Sequence, residues 1–67
     1  MAEMIMSATV RHNGRKVRWA ITRGEIGVLY THRIHARGYS LEGESETAGE
    51  ARAKVADYFE RTSLPAS

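Results

Sequence analysis

The sequence predicts an α+β fold: an antiparallel β-meander of three or four strands with one C-terminal α-helix packed on one face, a βββ(β)α two-layer sandwich. Three observations lead there. Apolar and polar residues alternate on both sides of Asn13-Gly14, further turn signals stand at Gly24 and Arg37-Gly38, and from Thr47 the apolar spacing changes from that of a strand to that of a helix.

The first hairpin rests on two independent signals. A two-residue type I′ loop needs positive φ at both central positions, which Asn-Gly tolerates. With Asn13 and Gly14 as the loop, strands of about 4–12 and 15–23 pair with His12 opposite Arg15. One face then collects Val10 with Val17, Ala8 with Trp19 and Met6 with Ile21. The other receives Arg11 with Lys16, Thr9 with Arg18, Ser7 with Ala20 and Ile5 with Thr22. A slip of one residue would turn the whole apolar set to water, so burial specifies the same register as the turn does.

In Thr22-Arg23-Gly24-Glu25, the glycine suits the left-handed position that closes a second turn. A third strand of about 26–35 follows, with Ile26, Val28, Tyr30 and Ile34 alternating onto the Trp19 face and Leu29 interrupting the pattern. After Arg37-Gly38, a short strand of about 39–44 sets Ile34 opposite Leu41 and Arg33 opposite Glu42, an opposite-charge pair that favours this register.

Thr47-Ala48-Gly49-Glu50 matches a capping box and opens a helix of about 48–62. Ala51, Val55, Tyr58, Phe59 and Thr62 form its expected buried stripe, and Glu50 with Lys54 and Asp57 with Arg61 are acid-first i,i+4 pairs. Residues 63–67 are expected to fray as a flexible tail, leaving 1–67 as a single domain. The expected core is Met6, Ala8, Val10, Val17, Trp19, Ile21, Val28, Tyr30, Ile34, Leu41, Ala51, Val55 and Phe59, with Trp19 at its centre.

Composition narrows the function. The chain has 67 residues, 42% of them apolar, and no cysteine. That excludes a disulfide-stapled scaffold and a cysteine-based zinc or redox motif, and makes the cytoplasm the expected compartment. The Arg- and Ala-rich usage suggests a bacterial source. No apolar run approaches the roughly 18–20 residues that span a bilayer, and Met4, Ile5 and Met6 are too few for a signal-peptide core, so no membrane partner is expected.

Catalysis has little support. Ser7, Ser40 and Ser45 stand in no nucleophile elbow, and Gly24-x-x-Gly27 belongs to a turn rather than to a phosphate loop before a helix. So small a chain has little room for a substrate pocket, and no small-molecule substrate or cofactor is implied. His32 and His35, three apart on a strand, point to opposite faces and cannot share an ion, so they read as solvated or turn-associated side chains and no metal is expected. Glu46 and Glu50 in the acidic run from Glu42 read as complements to the helix N-terminal dipole.

Charge is uneven. Residues 1–40 carry seven Arg or Lys against two acids, a balance of +5, and residues 41–67 carry three against six, a balance of −3. The expected nucleic-acid-binding residues are Arg11, Arg15, Lys16, Arg18 and Arg33 on a basic sheet face and its corner. Like charges at Arg11 and Lys16 directly opposite one another cost stability, which points to an anion meeting them. In outline the expected architecture resembles the three-stranded sheet plus helix of arm-type integrase DNA-binding domains and plant AP2-type domains; the likeness is of architecture, and no motif residue carries it. The alternative reading is a protein-interaction or homodimerising module that uses the uncovered sheet face or an edge strand. Ser7, Thr9, Ala20 and Gly27 are small there, with Ile5 and Leu29 beside them.

Overall fold

A computed structural model describes residues 3–24 and 29–63 of the chain. Asn13 and Gly14 take φ of 54° and 79°, the positive values a type I′ loop requires. On either side lie β1 (Glu3–His12) and β2 (Arg15–Arg23), and the chain continues through β3 (Tyr30–Ala36), β4 (Tyr39–Ser45) and α1 (Ala48–Thr62). The four strands form one antiparallel sheet in sequence order, with α1 packed on one face.

From Met6 to His12 the register of β1 against β2 is the one the turn and the alternation dictate: Val10 faces Val17, Ala8 faces Trp19 and Met6 faces Ile21. Below Met6 it shifts. Met4, not Ile5, stands opposite Thr22, because a bulge between Met4 and Met6 adds a residue to β1. Met4 thereby joins Ser7 and Ala20 on the face away from the helix.

β3 begins at Tyr30 rather than near Ile26. Pairing Trp19 with Ile34 sets Arg23 opposite Tyr30, and just beyond that pair Gly24 N donates to Leu29 O at 3.1 Å. Ile26, Gly27 and Val28, assigned to the sheet from sequence, lie outside the described residues. β4 pairs as expected, with Ile34 opposite Leu41 and Arg33 opposite Glu42.

Thr47, extended at φ −132° and ψ 156°, caps α1: its Oγ1 accepts from Glu50 N at 3.0 Å. Glu50 does not complete the reciprocal box, since its Oε2 accepts from the amide of Glu46, one residue before the cap, at 3.4 Å. Nor does it pair with Lys54, whose Nζ instead donates to the carbonyl of Glu44 on β4 at 2.8 Å. Asp57 and Arg61 do form their i,i+4 pair, at 2.8 Å.

α1 lies chiefly over β3, flanked by β4 and β2. That position sets the core. Val17, Ile21, Ile34, Ala51 and Val55 are buried, with Met6, Trp19, Tyr30, Ala36, Tyr58 and Phe59 packed around them. Trp19 is therefore at the margin and not the centre, where the fully buried pair Ile21 and Ile34 sits. Val10 and Leu41, expected in the core, are 37% and 45% exposed because they stand on the two edge strands that a single helix does not roof.

At its far end α1 is tied to the first hairpin. Thr62 Oγ1 donates to Tyr58 O at 2.7 Å, so it accepts from His12 Nε2 at 2.8 Å, and Asn13 Nδ2 donates to Thr62 O at 2.7 Å. Thr62 is thus exposed and hydrogen-bonded rather than part of the buried stripe. His12 also stands edge-on to Phe59, with centroids 4.9 Å apart.

Candidate nucleic-acid interface

Strand alternation and the observed register decide which side chains share the uncovered face. From the turn downward, Arg11 and Lys16 form its first row, Thr9, Arg18, His35 and Ser40 the second, and Ser7, Ala20, Arg33 and Glu42 the third. Met4, Thr22, Thr31 and Glu44 complete it. The floor is low, and a shallow depression of about 470 Å³ runs between Arg18, Arg33 and His35 over Ser7 and Ala20.

The expected site residues do not all come together. Arg11, Lys16, Arg18 and Arg33 share the uncovered face, but Arg15, opposite His12, projects to the helix side. There it lines a separate cleft with Arg37, Tyr39 and Tyr58. Residue 15 has the parity of Val17 and Trp19, which face α1, so Arg15 stands at the corner by the first turn on its helix side.

The cations also differ in what holds them. Arg33 Nε donates to Glu42 Oε2 at 2.8 Å and its Nη2 joins the same oxygen, so this guanidinium is largely neutralised. Arg11 Nη1 makes a long 3.4 Å contact with Gly14 O, which leans it over the turn. Among the described residues Lys16 and Arg18 form no ion pair, and both are exposed. Positive charge on this face is consequently concentrated on β1 and β2, and β4 contributes Glu42 and Glu44 at the opposite edge.

Two residues went unrecognised as members of the basic corner. His35 carries it across to β3, opposite Arg18, and its side followed from the same alternation that placed Ile34 in the core. Arg37, read only as a turn residue, lines the helix-side cleft with Arg15; no periodic signal reaches a turn position.

His32 departs from its expected solvated state. It points to the helix side, half-buried, with its ring laid over Gly43 so closely that a Cβ there would come within 2.6 Å of His32 Cε1. Nδ1 is buried and has no hydrogen-bond partner among the described residues. Burial first, then the Lys54 ammonium, holds its pKa below the ordinary 6.5, with Glu42 acting in the opposite sense. His35 faces the other side, so the two histidines do not converge. Among the described residues no cluster of His, Asp or Glu is arranged to hold a metal ion, and no helix is long and apolar enough to cross a membrane.

The Tyr39 and Tyr58 hydroxyls hydrogen-bond to each other across the β4–α1 gap. That bond, and burial after it, raise the Tyr58 phenol above its ordinary 10.0. Both rings form walls of the cleft that contains Arg15 and Arg37. No protein-family model matches the chain, and neither a curated protein nor a solved structure does.

Proposed function

We propose that this chain is a small non-enzymatic binding domain that docks nucleic acid through the β1–β2 half of its uncovered sheet face. The observation that carries the reading is the grouping of Arg11, Lys16 and Arg18 on one exposed surface, with Lys16 and Arg18 free of carboxylate partners among the described residues. Like charges held side by side cost stability in isolation, and an anionic backbone removes that cost. The low floor of Ser7, Thr9 and Ala20 lets a phosphate backbone approach the sheet closely. The cysteine-free, Arg- and Ala-rich composition supports placing such a domain in a bacterial cytoplasm.

Replacing Arg11, Lys16 and Arg18 together by Ala tests the assignment. Fluorescence anisotropy with labelled DNA or RNA should show markedly weakened binding while circular dichroism reports an intact fold. Unchanged binding by the folded variant overturns the assignment.

A second reading has its own observation. Met4, Ile5 and Val10, 58%, 37% and 37% exposed, lie along β1, an edge strand, and suit a protein partner or a second copy of the chain. Sedimentation over a range of concentrations tests the second-copy form, which a monomer throughout would remove.

A further inference from the structure

Both hairpins turn at the same end of the sheet, and α1 ends there too. The tip of β1–β2, the β3–β4 turn and the last turn of α1 enclose a cleft of about 270 Å³ on the helix side. Its floor is apolar, because Val17, the helix-facing position of β2 nearest the turn, is buried and Ala36 is half-buried beside it. Hydrogen bonds tie its walls together. Thr62 accepts from His12 and from Asn13, which joins α1 to the first hairpin, and the Tyr39 and Tyr58 hydroxyls join β4 to α1. The folded chain therefore fixes the shape of the cleft in advance, which spares a ligand the cost of ordering it.

Two cations line this space from different turns, Arg15 at the start of β2 and Arg37 after β3. No residue lining the cleft is acidic, and the sequence has no Asp or Glu at positions 4–24 or 26–41, so neither turn carries an acid of its own. Among the described residues neither guanidinium forms an ion pair, whereas Arg33 has Glu42. An anion in the cleft relieves the repulsion between the two.

We propose that the cleft binds a phosphate monoester carried on a ring, the chemistry of a nucleoside monophosphate, with Arg15 and Arg37 on the phosphate and the ring against Tyr39. Charge selects the monoester. It carries about −1.5 to −2 near neutral pH, which two guanidiniums match and a singly charged diester does not. The planar fork of arginine suits phosphate oxygens. Size selects a single small ligand, since pockets for larger ones begin near 300 Å³. The Tyr39 ring, 50% exposed, and the apolar floor offer a surface on which a base stacks and which inorganic phosphate leaves unused. The site stands apart from the sheet-face reading, because Arg15 lies on the helix side of the hairpin and Arg11, Lys16 and Arg18 on the other.

Two-dimensional NMR of the isotope-labelled chain, titrated with adenosine monophosphate and separately with adenosine, tests the assignment. The monophosphate should move the amide signals of Arg37, Tyr39 and Tyr58 and bind about tenfold or more tightly than adenosine. Arg15→Ala/Arg37→Ala should lose that preference, and Arg11→Ala/Lys16→Ala, which removes the same charge from the other side of the hairpin, should keep it. Signal dispersion shows that each variant folds; if the first does not, the shifts and preference of the unaltered chain decide the matter. Equal affinity for adenosine, shifts confined to Arg18, Arg33 and His35, or a folded Arg15→Ala/Arg37→Ala variant that keeps the preference overturns the site and leaves the sheet-face reading standing. A short strand with and without a terminal phosphate separates the two sources of this chemistry. Preference for the phosphorylated strand assigns the cleft to strand ends, and no preference, with the monophosphate bound, assigns it to the free nucleotide. Binding of the monophosphate with no affinity for the strand that lacks the phosphate overturns the sheet-face reading and leaves the cleft site standing.

Discussion

Ile34 and Leu41 stand directly opposite one another on the same face, yet one is 1% exposed and the other 45%. Strand pairing fixes which face a side chain takes, and the helix decides which of those positions lose water. Ile34→Ala should therefore destabilise the fold by about 2–5 kcal/mol, whereas Leu41→Ala should lie within about 0.5 kcal/mol of the parent. Urea unfolding of the two variants checks this, and equal losses would mean that α1 extends over β4 more fully than described. His32 offers a residue-scale test in pH. Its folded-state pKa is held below 6.5, so the unfolded chain binds the proton more readily and the associated stability, present above that value, is lost as pH falls through the folded pKa. His32→Gln should remove that part of the acid sensitivity. Superimposable profiles of unfolding midpoint between about pH 7.5 and about pH 5 would show that burial of His32 is not linked to folding.

At the scale of elements, Thr47 supplies a cap whose Oγ1 satisfies the amide of Glu50, and Thr47→Ala should cost about 1 kcal/mol, with Thr47→Ser close to neutral. Thermal unfolding reads the difference; equal losses in the two variants would remove the hydroxyl as the cause. This cap, the Asn13-Gly14 turn and the register from Met6 to His12 were legible in the sequence because each is set by neighbours a few residues apart, reinforced by which face is buried. The parts that were not legible depend on distant partners. Lys54 abandons Glu50 for the carbonyl of Glu44, a group that only the fold brings near. The bulge between Met4 and Met6 leaves no mark in an otherwise regular alternation, and the displaced start of β3 follows from pairing with β2 rather than from local preference. At the site, alternation identified Arg11, Lys16, Arg18 and Arg33 as companions and paired Arg15 with His12, but the cleft that Arg15 shares with Arg37, Tyr39 and Tyr58 depends on where the fold brings the β3–β4 turn and α1.

Over the whole molecule, one helix covers the middle of a four-stranded sheet, and no other described element packs on the opposite face. Buried side chains are few, so a polar outer face is expected of any such two-layer fold. What distinguishes this one is the distribution of charge on that face, basic on β1 and β2 and acidic on β4, which orients an anionic partner toward the hairpin rather than across the sheet. Counterion release gives that arrangement a direct signature. The most direct measurement is the affinity of the unaltered chain for a labelled nucleic-acid duplex at about 50 and about 200 mM salt. With at least Arg11, Lys16 and Arg18 on phosphates, affinity should fall by about 40-fold or more over that interval. Binding that is indifferent to salt, or absent at the lower concentration, would contradict the account.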